Sequence, residues 1–227
     1  TGPVVPVYLL GDTDTGPRLY REFRRVGAPT GSDPARLAAV ALAAAPADPD
    51  YRTPWAGVPV TALRRAGTEA TVTFGAGPRL AAAGEAAVAV QQVVYTVTAA
   101  DPDLRRVRVV APGLPGALTA KPLARAPQLD VLAPVWLLSP AEGTSSGRRV
   151  VLSGTASVFE ASVSIEVRSA ASVAARTTAT ASAGAPGRGN WTATVTLPPG
   201  DYTVAAYEVS AKDGSRQFVD TKRVTVT

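Results

Sequence analysis

The stretch LAAAGEAAVAVQQVVYTVT, residues 80–98, decides the fold of the first half of the chain. Ala83, Ala87, Val90, Val94 and Val97 recur in it at steps of three and four, so they share one face of a helix. Asp101-Pro102-Asp103 ends that helix, and Val107-Arg108-Val109-Val110 follows as a strand. Upstream, residues 58–63 and 70–74 read as two strands joined through Arg65-Ala66-Gly67-Thr68 as a hairpin. Farther back, Ser32-Asp33-Pro34 opens another helix, with Ser or Asp as its cap and Pro in its first turn. Leu37, Val40, Ala41 and Ala44 make its expected inward stripe, and Pro46 and Pro49 stop it. Residues 4–10 read as a buried strand, residues 11–17 as a turn and residues 18–26 as a second strand. The order β-β-α-β-β-α-β predicts an α+β domain over residues 1–111, a mainly antiparallel sheet covered by two helices.

The chain then changes character. Residues 112–130 are punctuated by Pro112, Gly113, Pro115, Gly116, Pro122 and Pro127, the composition of a semi-stiff linker. From residue 131 to 227 the pattern is strand throughout, in runs at residues 131–138, 149–153, 161–168, 174–181, 191–197, 202–209 and 218–226. Turn signals separate them at Pro140-Ala141-Glu142-Gly143, Gly184-Ala185-Pro186-Gly187, Pro198-Pro199-Gly200 and Asp213-Gly214. Seven short strands at this spacing predict an all-β, immunoglobulin-like sandwich. Gly200-Asp201-Tyr202 reads as the entry to a tyrosine corner.

Composition narrows the function. The 227 residues suit two domains better than one. There is no His and no Cys, which excludes Ser-His and Cys-His nucleophiles, zinc fingers, haem ligation and disulfide frameworks. No cofactor and no metal site are expected. The net charge of +5 is spread over both halves, so neither carries the single-signed field that nucleic-acid binding needs. The longest uncharged apolar run, Ala86–Ala100, has 15 residues, short of the roughly 20 a membrane helix requires. Met is absent, so the expected chain begins downstream of its natural start. The excess of Arg over Lys and of Ala points to a GC-rich, actinobacterial-type source.

Lined up, these segments resemble two known domains. Val7-Tyr8-Leu9, Arg18-Leu19-Tyr20-Arg21-Glu22, Ala70-Thr71-Val72-Thr73-Phe74, the run from Ala89 to Thr98 and Val107-Arg108-Val109 resemble the GerMN domain of sporulation and spore-germination proteins. Leu138-Ser139-Pro140, the run from Ser153 to Ala161 and the run from Tyr207 to Ser215 resemble the immunoglobulin-like Gmad domain that accompanies GerMN in such proteins. The resemblance implies a non-enzymatic, extracytoplasmic scaffold or protein-interaction module of the cell envelope, a lipoprotein or a membrane-anchored chain whose anchor lies outside this sequence. It implies an envelope protein or another copy as partner. A cell-wall polymer is the alternative, read from Trp55, Trp136 and Trp191, which as aromatics can stack on sugars.

The candidate contact residues are Gln91, Gln92, Tyr95, Phe159, Glu160, Glu208, Lys212 and Asp213. Gln91 and Gln92 point about 100° apart on a helix, so at most one faces the sheet. Gln91 is expected at the surface, and Gln92 is expected to bond to buried backbone. Glu160 and Glu208 sit in strand patterns, where a carboxylate needs a partner; Lys212 and Arg168 are available, and a Glu tying a loop's amides is the favoured arrangement. Asp12-Thr13-Asp14-Thr15-Gly16 opens like a calcium loop, but its twelfth position is Phe23 where a bidentate carboxylate belongs, so a tight turn is expected. A Ser210 and Lys212 dyad has no oxyanion motif to support it.

Overall fold

The computed structural model describes residues 2–29 and 31–227. It divides into two compact units, one built from residues up to Asp12 with Pro17–Leu132, the other from Thr13–Gly16 with Ala133–Thr227.

In the first unit, strands β1 (Val4–Thr13) and β2 (Gly16–Arg25) lie side by side, and the short β3 (Tyr51–Arg52) pairs on the other edge of β1. Asp33 caps helix α1 (Pro34–Ala41), its Oδ1 accepting from the amides of Ala35 and Arg36 at 2.9 and 3.3 Å. Strands β4 (Val60–Ala66) and β5 (Glu69–Phe74) form an antiparallel hairpin. Gly67 stands at its tip with φ +58°, a left-handed value that glycine adopts without strain. Helix α2 (Ala86–Ala100) then carries the chain over to β6 (Arg106–Val110), which runs parallel to β5. The expected single sheet is therefore two three-stranded sheets, β2-β1-β3 and β4-β5-β6. A helical crossover is long enough to return the next strand in the same direction, which a hairpin cannot do.

Both helix stripes differ from expectation. In α1 the buried residues are Ala35, Ala38, Ala39 and Ala41, while Val40 is exposed and Ala44 lies beyond the helix. With Ala on most faces, the hydrophobic pattern does not set the phase; the cap at Asp33 and the packing of α1 on α2 do. In α2, Val90, Val94 and Val97 are buried as expected, but Ala87 in its first turn is exposed, and so is Ala83, which lies in a short 3-10 turn ahead of the helix. From Gln92 to Thr98 every residue of α2 is buried, so the helix is enclosed rather than laid over a sheet by one stripe. Trp55 stacks on Phe74 with ring centroids 4.0 Å apart, and its Nε1 donates to the Ala89 carbonyl of α2 at 3.1 Å.

Residues 112–130, expected as a linker, are packed within this first unit. Leu123 and Val107 exchange two backbone hydrogen bonds of 2.9 Å, which lays the segment along the edge of β6. Two short helical turns, α3 (Gly116–Thr119) and α4 (Gln128–Val131), lie in and at the end of it. Pro and Gly forbid regular structure here but do not forbid ordering, because side chains of α2 satisfy the segment's backbone.

The second unit is a sandwich of two sheets. One holds β12 (Gly189–Thr196), β9 (Arg149–Ala156) and β7 (Val135–Ser139). The other, in order, is β11 (Val173–Thr180), β10 (Ser162–Arg168), β13 (Gly200–Val209), β14 (Arg216–Val226) and β8 (Thr144–Ser146). The seven expected strands are present, and β8 is an eighth that the pattern missed because it has three small polar residues and pairs parallel to β14. Alternating residues such as Leu137, Leu152, Ile165, Trp191, Val204 and Val224 meet in the core. Gly154 on β9 leaves the space that Trp191 fills: a Cβ built there would stand 2.7 Å from the Trp191 ring. The tyrosine corner has its partner, since the Tyr202 hydroxyl donates to the Pro198 carbonyl at 2.9 Å.

A buried charge pair ties the two sheets. Asp220 of β14 accepts the Leu137 amide of β7 at 2.6 Å and the Lys222 ammonium at 3.2 Å, and both charged residues are buried. Replacing Asp220 with Ala leaves a buried cation and a buried amide without this acceptor. The expected loss is about 3–5 kcal/mol in the unfolding of the second unit, read from urea melts followed by Trp fluorescence.

Candidate functional site

One end of the sandwich collects five of the eight predicted residues. In the register of β10 with β13, Ser164 stands opposite Tyr207, so the start of β10 at Ser162 is level with Val209. The turn that leads into β10, Phe159–Ala161, therefore lies at the same end as the connection between β13 and β14, residues 210–215. Phe159, Glu160, Glu208, Lys212 and Asp213 come together there from positions about fifty residues apart in sequence.

The turn at Phe159 is held by an acid from the neighbouring strand. The Phe159 amide donates to Glu208 Oε1 at 3.0 Å, which is the loop-tying role expected of a strand carboxylate. Glu160 and Ala161 follow at φ +54° and +55°, and Phe218, on the strand facing Glu208, has φ +53°. These are the non-glycine residues with left-handed backbone among those described, and they gather around Glu208. Such conformations cost roughly 1–3 kcal/mol each and persist where surrounding contacts enforce them. The result is a turn that presents the Phe159 ring, 68% exposed, beside Val209, 47% exposed.

The 210–215 turn is self-contained. Ser210 and Ser215 are joined by a backbone bond of 2.8 Å, and Asp213 Oδ1 accepts from the Ser215 amide at 3.0 Å and its hydroxyl at 2.7 Å. Those bonds, first the one from the Ser215 hydroxyl, hold the Asp213 carboxyl below its ordinary value. The Ser210 hydroxyl accepts the Lys212 amide at 3.2 Å, so its role in the turn is structural. Arg168, expected as a partner for Glu160 or Glu208, pairs instead with Glu166.

The other three candidates belong to the first unit, Gln92 and Tyr95 buried in it and Gln91 half-buried. Gln92 is fully buried, and its Nε2 donates to the Tyr8 carbonyl at 2.8 Å and to Thr53 Oγ1 at 3.2 Å. Gln91, expected as a surface reader, uses both ends of its amide on the chain: Nε2 donates to the Ala124 carbonyl at 3.2 Å and Oε1 accepts the Ala126 amide at 2.9 Å. Tyr95 is buried too, its hydroxyl donating to the Ala126 carbonyl at 2.6 Å while the Arg125 guanidinium covers its ring at 5.0 Å. Gln91, half-buried, and Tyr95 thus fasten residues 124–126.

The aromatic residues divide sharply. Trp55, Trp136 and Trp191 are buried, as are all six Tyr, and the aromatic rings that stand in solvent are Phe159 and, at 59%, Phe23. The Asp12–Gly16 hairpin tip is closed by Thr13 Oγ1 donating to the Gly16 carbonyl at 2.7 Å, and Asp12 pairs with Arg52 at 3.1 Å.

A charged cluster escaped sequence reasoning. Glu166 lies on the outer face of the five-stranded sheet, since its neighbours Ile165 and Val167 point into the core, yet it is fully buried. Three arginines cover it. Oε1 accepts from Arg168 at 3.2 Å and Arg216 at 3.1 Å, and Oε2 accepts from Arg176 at 2.9 Å and Arg216 at 2.7 Å. Hydrogen bonds from Arg216 and then Arg176 bring its pKa down to about 2. Only Arg168, two residues along the same strand, is visible as a neighbour in the sequence; the other two arrive through strand pairing.

Residues 6–115 match the family model described as sporulation and spore germination, and residues 134–215 match the immunoglobulin-like domain of bacterial spore germination. Among solved structures, the chain is similar to the tandem GerMN domains of the sporulation protein GerM from Bacillus subtilis, at 17% identity and TM-score 0.42 over 54% of this chain and 44% of that one. It is also similar to CopC from Methylosinus trichosporium OB3b, at 21% identity and TM-score 0.29 over 40% of this chain and 92% of that one. No curated protein matches it. The chain thus spans less than half the length of the first of these structures.

The Glu166 cluster has a pH signature. A carboxyl lowered from 4.5 to about 2 on folding stabilises fully above pH 4.5, and that contribution fades as pH falls towards 2. Glu166→Gln is expected to be less stable than the parent at pH 7, with the difference shrinking between pH 4.5 and 2 in urea melts; a difference independent of pH sinks the assignment.

Proposed function

We propose, on the premise that residues 6–115 match the sporulation and spore germination family and residues 134–215 the immunoglobulin-like domain of bacterial spore germination, that the chain is a protein-interaction module of the cell envelope. It works outside the cytoplasm, tethered as a lipoprotein or by a membrane anchor, and it positions an envelope protein or another copy of itself without chemical catalysis. Its role need not be germination.

One observation carries this reading: the Phe159 ring stands in solvent on a turn whose backbone is already fixed by Glu208. Ordering is complete before contact, so burying the ring against a partner is worth about 1.5–3 kcal/mol with little entropy lost. Central, preorganised aromatic anchors of this kind dominate protein interfaces. The serine, lysine and aspartate nearby close their own turn, which supports a contact surface over a reaction centre. The glycan-binding alternative draws no support from the Trp and Tyr side chains, all of which are buried.

The test is site-specific photo-crosslinking in cells, with the reactive group at position 159 and a control at Arg149, an exposed position on another strand. A discrete protein adduct from 159 that is absent from 149 is expected, and Glu208→Ala should weaken it by loosening the turn. Adducts to polysaccharide, or equal labelling from both positions, count against a protein partner.

A further inference from the structure

The face around Glu166 offers a second surface, which meets the Phe159 turn where Arg216 pairs with Val209. Its geometry is set by strand pairing. Glu166 on β10 stands directly opposite Arg176 on β11, Arg168 lies two residues along β10 on the same face, and Arg216 opens β14. From β11 to β14 the sheet spans three strand spacings, about 14 Å. The three guanidinium groups nevertheless reach one carboxylate, each within 3.2 Å of it. Glu166 neutralises one of the three charges, so the cluster carries a net charge of two positive units. Its cations are held in place while their side chains remain 54%, 66% and 44% exposed for Arg168, Arg176 and Arg216. Glu166 uses only Nε of Arg176 and a single terminal nitrogen of Arg168, which leaves planar N–H edges of both turned from it.

The surroundings extend the site. A shallow cavity of about 420 Å³ borders Arg168, with Ser169, Thr203, Thr225, Asp201 and Arg223 among its walls, so hydroxyl groups continue the face beside Arg168. Arg223 is paired with Glu142 at 2.5 Å, and Asp201 keeps its negative charge while accepting from the Thr225 hydroxyl at 2.7 Å, so the far side of the cavity repels an anion. The positive end is the Arg168 end. Tyr207 lies beneath Arg216, with the guanidinium 4.6 Å from its ring centroid, and is itself buried, so it gives no surface on which a nucleobase would stack.

We propose that this face binds an anionic chain of linked phosphates, gripped by Arg168, Arg176 and Arg216 with Glu166 holding the three guanidinium groups in register. Two positive units match two phosphate charges, and the spread of the cations over several strands suits linked groups better than one. Arginine forks match phosphate oxygens geometrically, and guanidinium groups fixed beforehand lose little freedom on binding. Tyr207, the ring beneath Arg216, is buried and gives the cluster itself no platform for stacked bases.

Calorimetric titration of the whole 227-residue chain with inorganic tripolyphosphate and, separately, with orthophosphate tests this. Tripolyphosphate is expected to bind at least about tenfold more tightly than orthophosphate, and more weakly as salt rises. Arg176→Gln on the exposed edge strand should weaken it by about tenfold or more, the scale of one charge-assisted contact. Arg168→Gln is the second variant should the first lose its fold, and Arg106→Gln on the other unit is the control with no effect. Absent binding, equal affinity for the two phosphates, or an equal loss from Arg106→Gln overturns the proposal.

Discussion

The Asp220 carboxylate is the contact on which the surfaces of this protein depend. It sits inside the sandwich, takes the Leu137 amide from the opposite sheet and holds Lys222 beside it. A paired charge in a core contributes little net stability compared with apolar packing, but it is demanding about position. That demand falls on β14, the strand that carries Arg216 to Glu166 and pairs Gln217 with Glu208, the acid that holds the turn of Phe159. If β14 slipped by one residue, Asp220 would turn outward and both surfaces would come apart.

The same device recurs elsewhere in smaller form. At several places a long polar side chain from a neighbouring element meets a backbone group. Gln92 reaches the Tyr8 carbonyl, Gln91 clamps residues 124–126, and Glu208 holds the Phe159 amide. Unpaired buried backbone groups are costly, so these side chains decide which irregular segments can be ordered. In the first unit they fasten a Pro-rich segment to α2. In the second they make a rigid display of an exposed ring.

The two units therefore use their polar residues differently. In the first, the glutamines and Tyr95 turn inward and hold the unit together. In the second, two acids stiffen what faces solvent: Glu208, near the end of β13, the apolar turn, and Glu166, on the outer face of the sheet, the arginine face. Preorganisation of this kind suits binding, where the entropy of ordering a surface opposes association.

Much was legible in the amino-acid order. The capped helix at Asp33-Pro34, the β4–β5 hairpin at Gly67, the long helix over Gln91 and Gln92, and the strands of the sandwich follow from local periodicity and turn chemistry, which act over a few residues. So did the tyrosine corner, because its donor and acceptor are four residues apart. Helix phase was not legible: with Ala at half the positions of α1, the apolar residues do not mark one face, and the neighbour α2 chooses. Nor was the fate of Gln91, whose partners lie more than thirty residues away. The burial of Glu166 depends on Arg176 and Arg216 converging from other strands, an outcome of pairing register that no local pattern encodes. Local chemistry thus determined which elements form, and long-range packing alone decided which of their polar groups hold the molecule together and which meet the outside.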